Sequence, residues 1–362
     1  MDPRVLEAML PEFSGIPSNP SSIHFFGQQA KQRLEQARQT IASFLKVKPQ
    51  EIVFTSSGTE SMNLILKGFC RGVREGHAIS SNIEHPCVYQ TLLQLKEGGL
   101  DISFLPAGLH GAVTPEQIRE AIRPNTRFIA LAAVNNETGV KHDLDGIGRI
   151  ALESGIPLLV DGVAWLGKEL FTFHPGISAM GFSGHKIHGP KGTGFAFVRS
   201  SVKLHPLLLG GPQEYSLRAG TENLAGILGL AKAVELLKAE LPSATERMAM
   251  LRDRLETQLL AKADPVVING TGPRVCNTCN LSFPGDLGED LLIALDMAGI
   301  AVSHGSACTS GALEPSRILI NMGVPHEIAK SALRFSLSRN TTAEEIDQAA
   351  QIISEMSCRF RK

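Results

Sequence analysis

Short apolar runs alternate with helical patterns along the first two-thirds of the chain. The runs lie at 51–57, 127–134, 156–162, 179–184 and 192–199. Between them, segments such as 59–69 and 144–155 carry apolar residues at the spacing of an amphipathic helix. Strands that are apolar on both faces belong to sheets that helices cover on both sides. The pattern therefore predicts an α/β fold.

The last third of the chain predicts a smaller domain. Two long helical patterns, at 223–241 and 244–263, are separated by a Pro-Ser pair, which places a domain boundary near residue 242. Residues 1–242 then form a large domain and residues 243–362 a small α+β domain. Within the small domain, Thr342 and Glu345 have the spacing of a capping box, so a final helix is expected to begin there.

Composition limits the partners of the chain. It has 362 residues, a net charge of −1 and 43% hydrophobic residues, as soluble globular proteins do. A nearly neutral chain has no overall field to attract nucleic acid or an anionic membrane, and no apolar run reaches the ~18–20 residues that span a bilayer. Its six cysteines do not resemble a disulfide framework, which favours a reducing, cytoplasmic setting.

Two residues at the ends of predicted strands indicate a ligand-binding site. Lys186 follows the run at 179–184, and Asp161 lies at the end of the run at 156–162. Ligands of open α/β sheets bind at the carboxyl ends of strands. A lysine there can bind a carbonyl cofactor covalently, and a carboxylate can pair with the pyridinium nitrogen of pyridoxal 5′-phosphate (PLP). Alone, each would be read as a surface charge or a helix cap; together they favour the cofactor.

A third feature is the segment TSSGTES, residues 55–61, which runs from a predicted strand into a helix. Ser57 and Glu60 have capping-box spacing, and Gly58 permits close approach of the backbone. Free N–H groups at such a helix start bind phosphate. An ordinary capped helix is the alternative interpretation.

Two other motifs do not carry their usual meaning. GVAWLGKE (162–169) has the glycine and lysine spacing of a nucleotide-binding loop, but Glu169 replaces the hydroxyl that binds magnesium. CNTC (276–279) lacks a second Cys or His pair at zinc spacing and is expected to belong to a strand. No metal site is predicted, although Cys308 could transiently contact a cluster.

Several long motifs in order resemble the cysteine desulfurases of the NifS/IscS type, in the class V aminotransferase group. They are NPSSIHFFGQQAK (19–31), IVFTSSGTESMNL (52–64), NNETG (135–139), SGHKIHGPKG (183–192), LRAGTEN (217–223) and SHGSACTSG (303–311). The resemblance covers almost the whole chain. It implies PLP fold type I, with a mostly parallel sheet between helices in the large domain and a smaller C-terminal α+β domain.

The resemblance also implies roles for particular residues. Lys186 would bind the cofactor covalently, Asp161 would pair with its pyridine nitrogen, and His85 would stack on the pyridine ring and help to move protons. Other residues would hold the cofactor phosphate: Gly58, Thr59, Ser183 and His185, with Thr221 of the second subunit of a homodimer. Asn136 would contact the cofactor and, with Arg334, the substrate, whose carboxylate the arginine would grip in a bidentate fork.

Cys308 would be the sulfur acceptor. The resemblance implies that L-cysteine is converted to L-alanine, that the sulfur is left as a persulfide on Cys308, and that it passes to an iron–sulfur scaffold protein or another thiol acceptor. The small residues around Cys308 would give the loop freedom to deliver it. His304 would lower the thiol's pKa or simply face solvent.

Three departures from the family pattern leave alternatives open. The chain starts after the family's short leading segment and is expected to be shortened there; Ala164 replaces a usual glutamine, and Pro212 a usual glycine. A selenocysteine lyase, another class V aminotransferase, and a non-catalytic scaffold for a sulfur carrier are the alternatives. Cys308 argues against the aminotransferase, because amino-group exchange needs no thiol.

Overall fold

A computed structural model describes residues 1–72, 75–305 and 314–360, with side chains as far as residue 357. Cys308 lies outside the described residues. The helices are α1 (Pro3–Ser14), α2 (Phe25–Leu45), α3 (Gly58–Cys70), α4 (Pro86–Glu97), α5 (Pro115–Ala121), α6 (Leu144–Glu153), α7 (Leu224–Lys262), α8 (Gly288–Met297), α9 (Arg317–Asn321), α10 (His326–Lys330) and α11 (Ala343–Phe360). Among these, no helix has the length and hydrophobicity needed to cross a membrane.

A seven-stranded sheet forms the core of the fold. The strands are β1 (Ile52–Thr55), β2 (His77–Ser81), β3 (Asp101–Leu105), β4 (Thr126–Ala132), β5 (Leu158–Asp161), β6 (Ile177–Ser183) and β7 (Gly194–Val198), in the order β1-β7-β6-β5-β4-β2-β3. Only β7 in this sheet runs antiparallel to its neighbours. The prediction of a mostly parallel α/β sheet is confirmed.

Alternate residues of each strand pack on opposite layers of helices. Phe54 of β1 packs in a core with α2 and α7, while its neighbour Val53 packs in a second core with α3 and α4. Every residue of β1, β2, β5 and β7 is buried. Burial on both faces explains why β1, β5 and β7 are mostly apolar. The polar residues of β2 are buried with hydrogen-bond partners: His77 contacts Thr126 and Ser103, and Ser80 Oγ donates to the carbonyl of Ala130.

The last third of the chain contains a small antiparallel sheet. Its strands are β8 (Val267–Ile268), β9 (Thr278–Ser282) and β10 (Ala332–Ser336), in the order β10-β9-β8. The strand predicted at the CNTC motif is confirmed, because Cys279 lies in β9. The capping box before α11 is also confirmed: Thr342 Oγ1 accepts the N–H of Glu345 at 3.2 Å, and Glu345 Oε2 accepts the N–H of Thr342 at 2.8 Å.

The prediction of two helices on either side of Pro242 is wrong. The helix α7 runs from Leu224 to Lys262 and contains Pro242. A proline inside a helix costs about 3 kcal/mol, because it removes one hydrogen bond and crowds the preceding turn. Leu241 and Ala244, on either side, are buried, and α7 packs on α1, α2 and α11. The packing of α7 therefore outweighs the tendency of proline to end a helix. The domain boundary near residue 242 stays a prediction, and it would fall inside α7.

A buried ion pair closes the free edge of β1. The side chains of Arg38, in α2, and Glu214, after β7, are only 3% and 1% exposed, and two N–O contacts of 2.8 Å join them. Arg38 also donates to the carbonyl of Ile52, and Glu214 accepts the N–H of Phe54 at 2.7 Å. The pair thus satisfies backbone groups that an edge strand would otherwise leave without partners.

We expect Arg38→Met to lower the free energy of unfolding by about 3–5 kcal/mol, because the change leaves the Glu214 carboxylate buried without its partner. Urea unfolding measures the loss. The matched control is Arg119→Met, whose pair with Glu153 is 62% and 53% exposed, and which should cost less than about 1 kcal/mol. Equal losses in the two variants would contradict the role given to the buried pair.

Candidate active site

The polar segments that follow β1, β2, β4, β5 and β6 meet at one edge of the large sheet. Because these strands are parallel, their carboxyl ends lie on the same side. A cavity of about 420 Å³ lies there. Nine of the predicted site residues line it: Gly58, Thr59, His85, Asn136, Asp161, Ser183, His185, Lys186 and Arg334. The sequence therefore identified most of the described lining that carries chemistry.

One described residue of the prediction, Thr221, does not line this cavity, and a second, Cys308, lies outside the described residues. Thr221 is exposed and lies outside the lining. Cys308 lies in the range 306–313, which is outside the described residues. His304, just before that range, is half-buried, and its Nδ1 lies 2.9 Å from the carbonyl oxygen of Ala332. This contact directs His304 toward β10.

The start of α3 forms one wall of the cavity. Ser57 caps the helix, since its Oγ accepts the N–H of Glu60 at 3.1 Å. The Glu60 side chain accepts the N–H of Ser56 and pairs with Arg218 at 2.9 Å. The first N–H groups of a helix have no partner within the helix, so this wall presents donors for an anion. A β-carbon on Gly58 would lie 2.4 Å from Val163 Cγ2, which explains the need for glycine.

Asp161 lies at the centre of the cavity wall and is buried at the end of β5. Its Oδ1 accepts the N–H of Val163 at 2.9 Å. Burial raises the pKa of the Asp161 carboxyl, while His85 and the Val163 N–H oppose that shift. A positive group beside Asp161 would therefore gain a strong interaction with its ionised form.

His85 is held in one tautomer by the backbone. It is the N-cap of α4, and its Nδ1 accepts the N–H of Cys87 at 3.1 Å. Burial lowers the pKa of His85, with Asp161 acting in the opposite direction and Lys186 in the same one. A neutral ring that accepts at Nδ1 carries its proton on Nε2. Nε2–H is thus the group that His85 can donate.

Arg334 and Asn136 form the part of the cavity that suits a carboxylate. Arg334 Nη1 donates to the carbonyl oxygen of Asn136 at 2.9 Å, and Nη2 donates to Ser303 Oγ at 3.2 Å. Backbone hydrogen bonds also join Arg334 to Ser303. These bonds fix the guanidinium plane, as bidentate recognition requires.

Both flanks of the segment around Cys308 are fixed at the cavity. Ser303 precedes it and pairs with Arg334. On the other side, Ser316 Oγ donates to Glu137 Oε2, and Arg317 donates to the backbone carbonyls of Asn82 and Glu84, immediately before His85. The segment therefore begins and ends beside residues of the candidate site.

Sequence reasoning missed three residues near this site. Cys87 and Lys168 line the cavity, and Glu84 is fully buried next to His85. Lys168 Nζ donates to the carbonyl oxygen of Lys186 at 3.2 Å, and burial lowers the pKa of Lys168 to about 8. Lys168 had appeared only in the rejected nucleotide-loop motif. Cys87 could have been found from its position two residues after His85, at a helix start.

The fold and the cavity define a class, the PLP-dependent enzymes of fold type I. The sequence model described as aminotransferase class V matches residues 1–349, and the chain belongs to this family. A cysteine desulfurase from Trichormus azollae is 40% identical over 364 residues, covering 100% of this chain and 91% of that protein. The predicted resemblance to cysteine desulfurases is thus confirmed.

Two solved structures are similar over nearly the whole chain. A NifS-like protein has a TM-score of 0.91 and 34% identity, and the match covers 98% of this chain and 96% of that one. The structure described as SspA in complex with cysteine has a TM-score of 0.83 and 33% identity, covering 94% and 97%. The chain therefore resembles these proteins in its fold as well as in its sequence.

The buried Glu84 predicts a pH dependence of stability. Burial raises the pKa of Glu84 to about 8, and the Asp161 carboxylate acts in the same direction. The native state therefore keeps a proton that the unfolded chain loses above its ordinary pKa, so this group's stabilisation declines as pH rises toward 8.

We expect Glu84→Gln to lack this decline, because the amide can keep bonds to Ser81 Oγ and the N–H of Ala132 without ionising. Between pH 5 and 8, the free energy of unfolding of the unmodified chain should fall relative to the variant by at most about 1.4 kcal/mol per pH unit. Urea unfolding at both pH values is the measurement, with the exposed Glu116→Gln as control. A difference that does not change with pH would refute the assignment.

Proposed function

We propose that this chain is a PLP-dependent cysteine desulfurase that moves sulfur from L-cysteine to Cys308. The observation that carries the proposal is the meeting of Lys186, Asp161 and His85 in one cavity with Arg334, while both flanks of the Cys308 segment are fixed beside them. The NifS-like structure and the cysteine complex of SspA support the same reaction class and substrate.

The cavity fits PLP in three respects. The α3 start suits the phosphate, and Ser183 Oγ and His185 Nδ1, 2.8 Å apart, lie in the same wall. Asp161, buried and raised in pKa, suits a pyridinium N–H. Lys186 would supply the amine that holds the cofactor's aldehyde. Bound there, PLP supplies an electron sink at the substrate α-carbon.

Three residues of the chain then bind the substrate and transfer its protons. Arg334, oriented by the Asn136 carbonyl, binds the substrate carboxylate and fixes the α-carbon near Lys186. Lys186 Nζ takes the α-proton. His85 donates or accepts a proton at Nε2, since its Nδ1 is engaged with the backbone.

Sulfur transfer is assigned to Cys308. Its thiolate attacks the substrate sulfur, so that a sulfur–sulfur bond forms and the carbon–sulfur bond breaks. The electron pair of the broken bond passes to the β-carbon, which takes a proton, and alanine is left. An iron–sulfur scaffold protein or another thiol acceptor then takes the sulfur. Because Cys308 must be reduced before each turnover, the mechanism favours a reducing compartment such as the cytoplasm.

Ala164 distinguishes this cavity from the family pattern. It lines the cavity in place of the usual glutamine. The indole Nε1 of Trp165 donates to Glu169 at 2.6 Å, and Ser183 Oγ is engaged with His185. Both side chains thus already have partners, while alanine cannot donate the hydrogen bond that a glutamine would give to the cofactor's phenolic oxygen. We therefore expect that oxygen to be less acidic than in relatives that keep the glutamine.

We expect Cys308→Ala to keep its cofactor and to lose at least a hundredfold in alanine and sulfide production from cysteine. The reason is that the thiol acts only after the substrate is bound. Cofactor absorbance and product assays with a reductant are the measurements. Lys186→Ala is the comparison, because it should lose both the covalent cofactor linkage and turnover. Sulfide release by Cys308→Ala at the unmodified rate would remove the persulfide mechanism.

We also propose a homodimer in which Thr221 of one subunit completes the other subunit's phosphate site. Thr221 is exposed and lies outside its own chain's cavity lining. Large apolar side chains are exposed in the N-terminal segment and ahead of Thr221, and such surface is typical of subunit contacts. They are Phe13, Ile16, Ile23, Phe25, Leu209 and Tyr215.

Complementation tests this arrangement. Thr221→Val should weaken PLP binding about ten- to hundredfold, because it removes a hydroxyl from a charged phosphate. Co-expressed with Lys186→Ala, it should restore activity to roughly a quarter of the unmodified rate, since half of randomly formed dimers are mixed and each holds one intact site. No restoration above the single variants would place Thr221 in its own chain's site.

A further inference from the structure

The cavity contains a thiol that the proposed mechanism does not use. Cys87 is half-buried at the first turn of α4. Its Sγ lies 3.0 Å from His85 Nδ1 and 3.8 Å from Asp161 Oδ2. One ligand atom from each of these residues lies within 4.8 Å of the others. Nitrogen, sulfur and oxygen donors are thus gathered at one point of the cavity wall.

These donors match a thiophilic divalent cation. Zinc binds imidazole nitrogen, thiolate sulfur and carboxylate oxygen at about 2.0–2.3 Å, so neighbouring donors of a tetrahedral site lie about 3.3–3.6 Å apart. The separations of Cys87 Sγ from His85 Nδ1 and from Asp161 Oδ2, 3.0 and 3.8 Å, lie on either side of that range. Coordination through Nδ1 replaces the hydrogen bond that Nδ1 accepts from the N–H of Cys87 when no cation is present. All three residues line the cavity, which leaves a fourth position open to water.

Charge and protons balance in such a site. The ligand form of a cysteine is the thiolate, so a cation has to displace the proton of the Cys87 thiol. Coordination releases that proton to solvent, and the thiolate and the Asp161 carboxylate neutralise the two charges of the cation without any redox change. Lys168 and Lys186 also line the cavity and oppose a cation, which limits its affinity.

We propose that the cofactor-free chain binds one thiophilic divalent cation, such as zinc or cobalt, on His85, Cys87 and Asp161, and that the cation and PLP exclude each other. His85 and Asp161 are the side chains assigned to the pyridine ring of PLP, so they cannot serve both ligands at once. The exclusion rests on the proposed function, whereas the cation site itself does not. Its consequence is that free metal slows cofactor loading of the newly made chain.

Cobalt provides the direct test. The full chain carrying Cys308→Ala, which removes the loop thiol, is stripped of cofactor and titrated with Co²⁺. We expect one equivalent to bind, with a thiolate-to-cobalt absorption band in the near ultraviolet and the visible bands of tetrahedral cobalt. Adding Cys87→Ala or Cys87→Ser should abolish the thiolate band and weaken binding at least tenfold. Cys70→Ala, at the buried end of α3, is the matched control and should keep the band.

Loading with PLP then separates the two claims. We expect PLP to release one cobalt ion per site, measured with a chromophoric chelator, and excess Co²⁺ to slow the rise of cofactor absorbance. A thiolate band that survives the loss of Cys87, or no binding at all, would overturn the cation site and leave the desulfurase proposal intact. Cobalt that stays bound while PLP loads fully would overturn the exclusion and contradict the placing of the pyridine ring at Asp161.

Discussion

The burial of one carboxylate at the end of β5 is the constraint on which the cavity depends. Asp161 is supported by the N–H of Val163, yet removal from water still raises its pKa. Its close neighbours are a thiol, Cys87, and an imidazole, His85, whose own pKa burial lowers. Such a carboxylate is stable only when it is protonated or paired. A positive group carried by a ligand, whether a pyridinium or a metal ion, therefore adds to the stabilisation that His85 and Lys186 already give the ionised carboxylate.

The sheet brings the remaining groups to this carboxylate through strand direction alone. Residues far apart in sequence, such as Gly58, His85 and Lys186, follow parallel strands and so share one edge. The edge strand β1 is the vulnerable element, because its outer backbone groups face no further strand. The Arg38–Glu214 pair covers them and ties the chain just before Thr221 to the strand that leads into the start of α3, one wall of the cavity.

Local signals in the sequence were enough for β1, β4, β5, β6 and β7, for the helix caps and for Gly58, Asp161 and Lys186. They were not enough for β2 and β3, and His85, Asn136 and Arg334 were predicted only through the family resemblance. The Ser57 cap and the Thr342 capping box form as their spacing predicts, since these are contacts between residues three apart. Features that depend on distant packing were not accessible. Proline usually ends a helix, yet α7 continues past Pro242 because contacts along its length stabilise it. Likewise, Arg38 and Glu214 are 176 residues apart, and no local pattern pairs them.

Covalent geometry limits how far the proposed sulfur carrier can move. Ser303 is held by Arg334, and His304 by the carbonyl of Ala332, so the chain is anchored up to the residue before Gly305. Cys308 follows Gly305 by three residues, and a fully extended chain gains at most about 3.3–3.6 Å per residue. Its α-carbon therefore remains within about 10–11 Å of that of Gly305 in any conformation. If Cys308 carries the sulfur as proposed, an acceptor has to bring its own thiol within that distance of Gly305, because Ser303 and His304 fix the flank that precedes it.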